Sequence, residues 1–135
     1  MAAVVVDTDV LSFQFKRDTR ADLYDAHLAH KILTVSFMTV AELDLWALLH
    51  RWGEARKKGM QELLRAYLIH PFDRELCLKW AEVTSSVRRK GHDIQVGDAW
   101  IAATALRHGI PLVTHNRRDF ANVEGLTVIS ETEKP

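Results

Sequence analysis

The chain has 135 residues, a normal size for one domain, and it should bury roughly two-thirds of the surface its unfolded form exposes. Lys and Arg number 18 and so do Asp and Glu, which excludes an overall basic field as the means of attracting nucleic acid; any such contact must be local. The lone Cys77 excludes an internal disulfide, no apolar run is long enough to span a bilayer, and no charged leader precedes an apolar segment, so a reducing, cytoplasmic setting without membrane contact is expected.

The first element is Ala2-Ala3-Val4-Val5-Val6 followed by Asp7-Thr8-Asp9. A continuous apolar run bounded by acids reads as a strand buried on both faces, the kind found centrally in a parallel sheet. Asp7 then stands at the carboxyl end of that strand, where open α/β sheets bind ligands. Capping of the following helix by Asp7 or Asp9 accounts for the same residues. Val10 to Phe15 can begin that helix, and from Thr19 a second stretch places Leu23, Ala26 and Ala29 or His30 at helical spacing.

Lys31 to Val35 reads as a second strand ending at Ser36, and Phe37 to Arg51 as a helix with Val40, Leu43, Ala47 and Leu48 on one side, stopped by Gly53. A further helix fits Glu54 to Tyr67, with Gly59 inside it. Leu68 to Phe72 is a short strand and exit turn, because Pro71 removes a ladder donor. A long helix from Glu75 to Lys90 carries the buried stripe Leu76, Trp80, Val83 and Val87 and ends at Gly91. After a loop from His92 to Gly97 comes an apolar helix, Asp98 to Arg107, closed by Gly109. Pro111 to Thr114 and Leu126 to Ile129 are the last strands, and a polar tail follows.

Strands alternating with helices predict one α/β domain over residues 1–135, with a mostly parallel sheet of four or five strands covered by helices on both faces. Its acids are the features that carry chemistry. Glu42 completes a Thr39-x-x-Glu42 capping box, or, with Ser36 as the cap, lies further into the helix and points over the sheet edge. Asp98 shares a helical face with Ile101, Ala102 and Ala105, and an acid in a first turn also complements the helix dipole. Asp119 lies in the loop Thr114-His115-Asn116-Arg117-Arg118-Asp119, where Asn and Asp are ordinary turn formers. Several carboxylates brought to one sheet edge repel unless a cation joins them, and oxygen-only ligands favour Mg²⁺ or Mn²⁺. Arg56-Lys57-Lys58, Arg88-Arg89-Lys90 and Arg117-Arg118 are short basic clusters that can hold phosphates or simply be solvated.

VVVDTDVL, TVAEL, GDAWIAATAL and LVTHNRRDF, in this order, resemble the PIN-domain ribonucleases, and within them the VapC-type toxins of bacterial toxin–antitoxin pairs. The resemblance covers nearly the whole chain. It implies that Asp7, Glu42, Asp98 and Asp119 bind the metal, with Thr8, Thr114, Asn116 and Arg117 supporting the site or touching substrate. Members vary in which position of the last motif faces the metal, and the earlier position here is the neutral Asn116. It further implies Mg²⁺-dependent cleavage of RNA phosphodiesters by metal-activated water, tRNA or ribosomal RNA as substrate, an antitoxin covering the acidic cleft, and a homodimer. The early helices, with Trp46 and Trp52, offer a docking or dimer surface or simply pack the core. His115 could touch substrate.

Two other readings fit parts of the chain. The opening Asp-Thr-Asp-Val also resembles haloacid dehalogenase-like phosphatases, in which Asp7 would be the nucleophile and Asp9 the acid/base; the run from Ala99 to Ala103 lacks the further carboxylate that family wants. A PIN-fold interaction module without turnover is the non-enzymatic alternative.

Overall fold

In the computed structural model, which describes residues 1–132, the strand β1 spans Ala3–Val6, with Val4, Val5 and Val6 almost or wholly out of water. β-branched side chains are stiff and pack well on a pleated surface, so this run suits the middle of a sheet. With β2 at Ile32–Ser36, β3 at Leu68–His70, β4 at Leu112–Val113 and β5 at Val128–Ile129, the order is β3-β2-β1-β4-β5 and every pairing is parallel. Of the polar tail, residues 133–135 lie outside the described residues.

Six α-helices complete the fold: α1 at Thr8–Lys16, α2 at Asp25–Leu28, α3 at Phe37–Leu49, α4 at Glu54–Leu64, α5 at Arg74–Arg89 and α6 at Val96–His108. Alternation along β1 divides them into two layers. Val5 joins Leu112 in a core with Leu76, Val83 and Val87 of α5 and the alanines of α6. Val4 and Val6 join Val113 in a second core with Leu11, Tyr24, Leu28, Leu43 and Met60. Ala99, Ala102, Ala103 and Ala105 are all buried and let α6 approach α5 and the sheet closely. Gly109 at φ 65 ends α6, and Gly91 at φ 80 follows α5, both in the left-handed region that glycine enters without strain.

Three local expectations are corrected. Residues 19–30 do not form one helix with Leu23, Ala26 and Ala29 inward: a 3₁₀ segment, Thr19–Tyr24, leads into the single turn of α2, and the buried side chains are Tyr24 and Leu28. The Tyr24 hydroxyl meets His115 Nδ1 at 2.6 Å, and this distant partner sets the phase. α3 ends two residues before Arg51, and Gly53 does not stop it. Arg51 takes the left-handed conformation at φ 51, while Gly53, at φ −71, is the N-cap of α4. α6 begins two residues earlier than Asp98, which puts Gly97 inside the helix.

The chain lays down β1, β2 and β3 in one direction and then returns to place β4 on the other side of β1. This reversal opens a crevice at the carboxyl ends of β1 and β4. Val6 pairs with Val113, so Asp7 and Thr114 leave the sheet side by side.

Leu11 on α1 has no exposed surface. Leu11→Ala should lower the unfolding free energy by about 2–5 kcal/mol, read from urea denaturation; a loss under ~1 kcal/mol would mean the α1 layer is not packed as described.

Candidate metal centre

Asp7 is the N-cap of α1 and is 5% exposed. Its Oδ1 accepts from the Thr8 backbone N–H at 2.7 Å, and its Oδ2 accepts from Thr114 Oγ1 at 2.7 Å. Burial pushes its carboxyl well above the usual range and the charge of Asp9 adds to this, while the Thr114 and Thr8 hydrogen bonds oppose it. The end of a helix where backbone amides point outward is a favourable place for an anion.

Glu42 lies in the second turn of α3. Ser36, not Thr39, caps that helix, its Oγ accepting from the Met38 N–H at 3.1 Å. The capping-box account of Glu42 is therefore excluded. Its Oε1 instead accepts from Thr8 Oγ1 at 2.8 Å, across to α1. Burial raises its carboxyl, opposed by the Thr8 bond. Gly97 leaves room for this approach: a Cβ there would lie 3.3 Å from Glu42 Oε2, a tight contact. Asp98 follows in the first turn of α6, its carboxyl pushed up to about 6 by burial and then by the charges of Asp119, Glu42 and Asp9. Asp119 is exposed in the 3₁₀ turn Arg117–Phe120, and its charge is felt at both Asp98 and Asp9.

Asp9 belongs to this group, although the sequence reading left it out of the metal set. Its Oδ2 accepts from the His115 N–H at 3.0 Å and its Oδ1 from the Val10 N–H at 2.7 Å. Burial raises its carboxyl. The signal available in the sequence was the i, i+2 spacing from Asp7 directly after a buried strand.

Thr114 is fully buried; its hydroxyl donates to Asp7 and accepts from the Asn116 N–H at 3.0 Å. Thr8 is tied to Glu42, as above. Asn116 is exposed and contributes its backbone to Thr114. Arg117 is turned away from open water: its guanidinium donates to the Ser130 carbonyl at 3.2 Å and so braces the chain after β5. His115 is a packing residue, edge-on to Phe13 and Tyr24 and bonded to the Tyr24 hydroxyl.

Five carboxylates thus share one sheet edge. Among the described residues none of the five forms a salt bridge, and no three acid, histidine or cysteine side chains stand close enough to chelate an ion as they are. Burial is the larger cause of the raised carboxyls of Asp7 and Asp98, and repulsion from the neighbouring acids adds to it. A donor set made only of carboxylate oxygens fits a hard divalent cation, which would relieve that repulsion.

The PIN-domain family model matches residues 4–126. The plasmid stability protein StbB of Pseudomonas syringae pv. tomato is 32% identical over 140 residues, covering 96% of this chain and 99% of that protein. The ribonuclease VapC4 of Mycobacterium tuberculosis is 32% identical over 98 residues, covering 71% of this chain and 75% of that protein. Among solved structures, VapBC2 from Rickettsia felis bound to a promoter DNA fragment superposes with a TM-score of 0.83 at 18% identity, covering 95% of this chain and 98% of the other. That last likeness concerns the fold.

Raised carboxyls have a consequence for stability without metal. Between the unfolded carboxylate range near 4 and the folded value of about 6 for Asp98, the native state binds more protons than the unfolded state, so stability falls as pH rises through that window and is level above it. The lowered, exposed acids Asp18, Asp73 and Glu124 act with the opposite sign. Comparing the wild type with Asp98→Asn in EDTA cancels them. The variant should be more stable at pH 7 than the wild type, by more than at pH 4; urea unfolding at both values would count against the burial of Asp98 if the two proteins kept a constant difference.

Proposed function

The chain belongs to the PIN-domain family, and from that premise we propose that it is a Mg²⁺-dependent endoribonuclease acting as the toxin of a type II toxin–antitoxin pair. The observation that carries the proposal is the gathering of Asp7, Glu42 and Asp98, with Asp9 and Asp119, at the β1–β4 crevice, none of them in a salt bridge among the described residues. The ribonuclease named VapC4 among its relatives supports the same activity. Asp7, Glu42, Asp98 and Asp119 would hold Mg²⁺, with Mn²⁺ as a possible substitute.

When bound, such an ion lowers the pKa of a water and neutralises charge on the scissile phosphate. The protein's own contribution is placement. Thr114 Oγ1 and the Thr8 N–H fix the two oxygens of Asp7, and Thr8 Oγ1 fixes one oxygen of Glu42. Asp9 ties the loop after β4 to the start of α1 through the His115 N–H, which keeps Thr114 and Asp119 in place. Arg118, exposed next to Asp119, is the cation at the mouth that can meet a flanking phosphate.

The phosphatase reading loses its ground, because the PIN-domain family model matches residues 4–126, the opening Asp-Thr-Asp-Val included. For the toxin reading, the partner is an antitoxin that covers the acidic cleft with Arg or Lys, and the substrate is tRNA or ribosomal RNA. A homodimer in the cytoplasm completes the proposal; no helix of the described residues is long and apolar enough to cross a membrane. Leu45, Leu48 and Leu49 of α3, all more than half exposed, supply the apolar surface such contacts need. Trp52 serves the chain's own packing, stacked on Phe15 at 5.2 Å under the Arg56 guanidinium.

Purified protein free of any partner, incubated with total RNA and Mg²⁺ or Mn²⁺, should yield discrete fragments. EDTA should abolish them, and Asp98→Asn should reduce the rate by more than about 100-fold, beyond the loss expected from an outer-shell partner. Cleavage that persists in EDTA would refute the metal mechanism, whereas no cleavage of any RNA together with no metal binding would leave the silent interaction module as the reading.

A further inference from the structure

Glu42 reaches the acidic edge from α3, where Thr8, with Thr39 behind it, lies against one of its oxygens and Gly97 against the other. Thr8 Oγ1 lies 2.8 Å from Glu42 Oε1 and 2.9 Å from Thr39 Oγ1. A hydroxyl carries one hydrogen, and an ionised carboxylate only accepts. Thr8 therefore donates to Glu42 and must accept from Thr39, which fixes the direction of the whole chain: Thr39 to Thr8 to Glu42. Thr39 has no exposed surface, so no water competes for its hydroxyl. On the other side, a Cβ at position 97 would lie 3.3 Å from Glu42 Oε2, close enough to push that oxygen aside by a few tenths of an ångström, with Met38 Cε 3.5 Å away.

We propose that Thr39, acting through Thr8, and Gly97, by leaving room, are positioning residues that aim the Glu42 carboxylate at the metal centre. Neither residue would be a ligand, since the Thr39 hydroxyl is spent on Thr8 and Gly97 has no side chain. Thr39 holds one oxygen by a directed relay of hydroxyls between α1 and α3, and Gly97 lets the second oxygen lie against the first turn of α6 beside Asp98. Gly97 adopts an ordinary helical conformation with no positive φ, so backbone freedom does not explain the glycine. Its lack of a Cβ does.

This inference rests on the metal-dependent reading above, and the test separates the two. Mn²⁺ binding to the purified full chain is measured by titration, following free Mn²⁺ by electron paramagnetic resonance, with thermal melts alongside. Thr39→Val should weaken Mn²⁺ binding about tenfold, as loss of an outer-shell partner does, and Thr39→Ser should bind within about twofold of wild type. On a Glu42→Ala background Thr39→Val should cost nothing more, because its effect passes through Glu42. Gly97→Ala should weaken Mn²⁺ while holding or raising the melting temperature, since alanine is the better helix former; a purely structural role would move both together. This variant also carries the test if Thr39→Val does not fold. Unchanged binding in Thr39→Val and Gly97→Ala, or an equal Thr39→Val loss without Glu42, overturns the positioning role alone. A wild type that binds no Mn²⁺ overturns this inference and the metal reading together.

Discussion

The structure is built around a carboxylate taken out of water. Asp7 ends a strand buried on both faces and is itself almost wholly buried, a position that costs on the order of several kcal/mol for an ionised group unless donors meet it. Two donors do, the Thr8 amide and the Thr114 hydroxyl, each at 2.7 Å. The second exists only because β4 pairs with β1 in parallel, with Val6 opposite Val113. Sheet order, the register of one strand pair and the placement of one acid are thus a single constraint.

Around this point the fold gathers further negative charge where it would be expected to disperse it. α1 brings Asp9, α3 brings Glu42, α6 brings Asp98, and the turn after β4 brings Asp119. Desolvation raises the carboxyls of Asp7, Asp9, Glu42 and Asp98, and repulsion from neighbouring acids adds to it at Asp7, Asp9 and Asp98. Groups perturbed this way in a crevice mark a candidate functional site. Threonine hydroxyls hold Asp7 and Glu42 and backbone amides hold Asp7 and Asp9, donors that direct a carboxylate without neutralising it. The negative potential is thereby kept available for a cation.

The even balance of charges conceals this arrangement. Five of the 18 acids stand at one edge, so the rest of the surface carries a cationic excess, with Arg88, Arg89, Arg118 and Lys58 exposed on it. A polyanion is attracted by such a surround and repelled by such a centre. Net charge measures solubility; its distribution measures the partner.

Much of the architecture was legible from local pattern. The valine run, the stripe of Leu76, Val83 and Val87, and the glycines at 91 and 109 specify elements through contacts within a few residues of one another, and the acids of the four motifs stood out by their place after strands or at helix starts. Other features needed partners far along the chain. Asp9 is engaged by His115, 106 residues away, Thr8 by Thr39, 31 away, and Tyr24 by His115, 91 away. Contacts of this kind decided which face of residues 19–30 is buried, and others across the chain turn Arg117 to Ser130 and set Gly97 against Glu42. Periodicity and capping are properties of a helix turn or a strand pleat, so the sequence by itself determined the elements and nominated the acids. Convergence is a property of strand order and register, and only the tertiary structure decided which acids meet, what holds them, and which small residues make room.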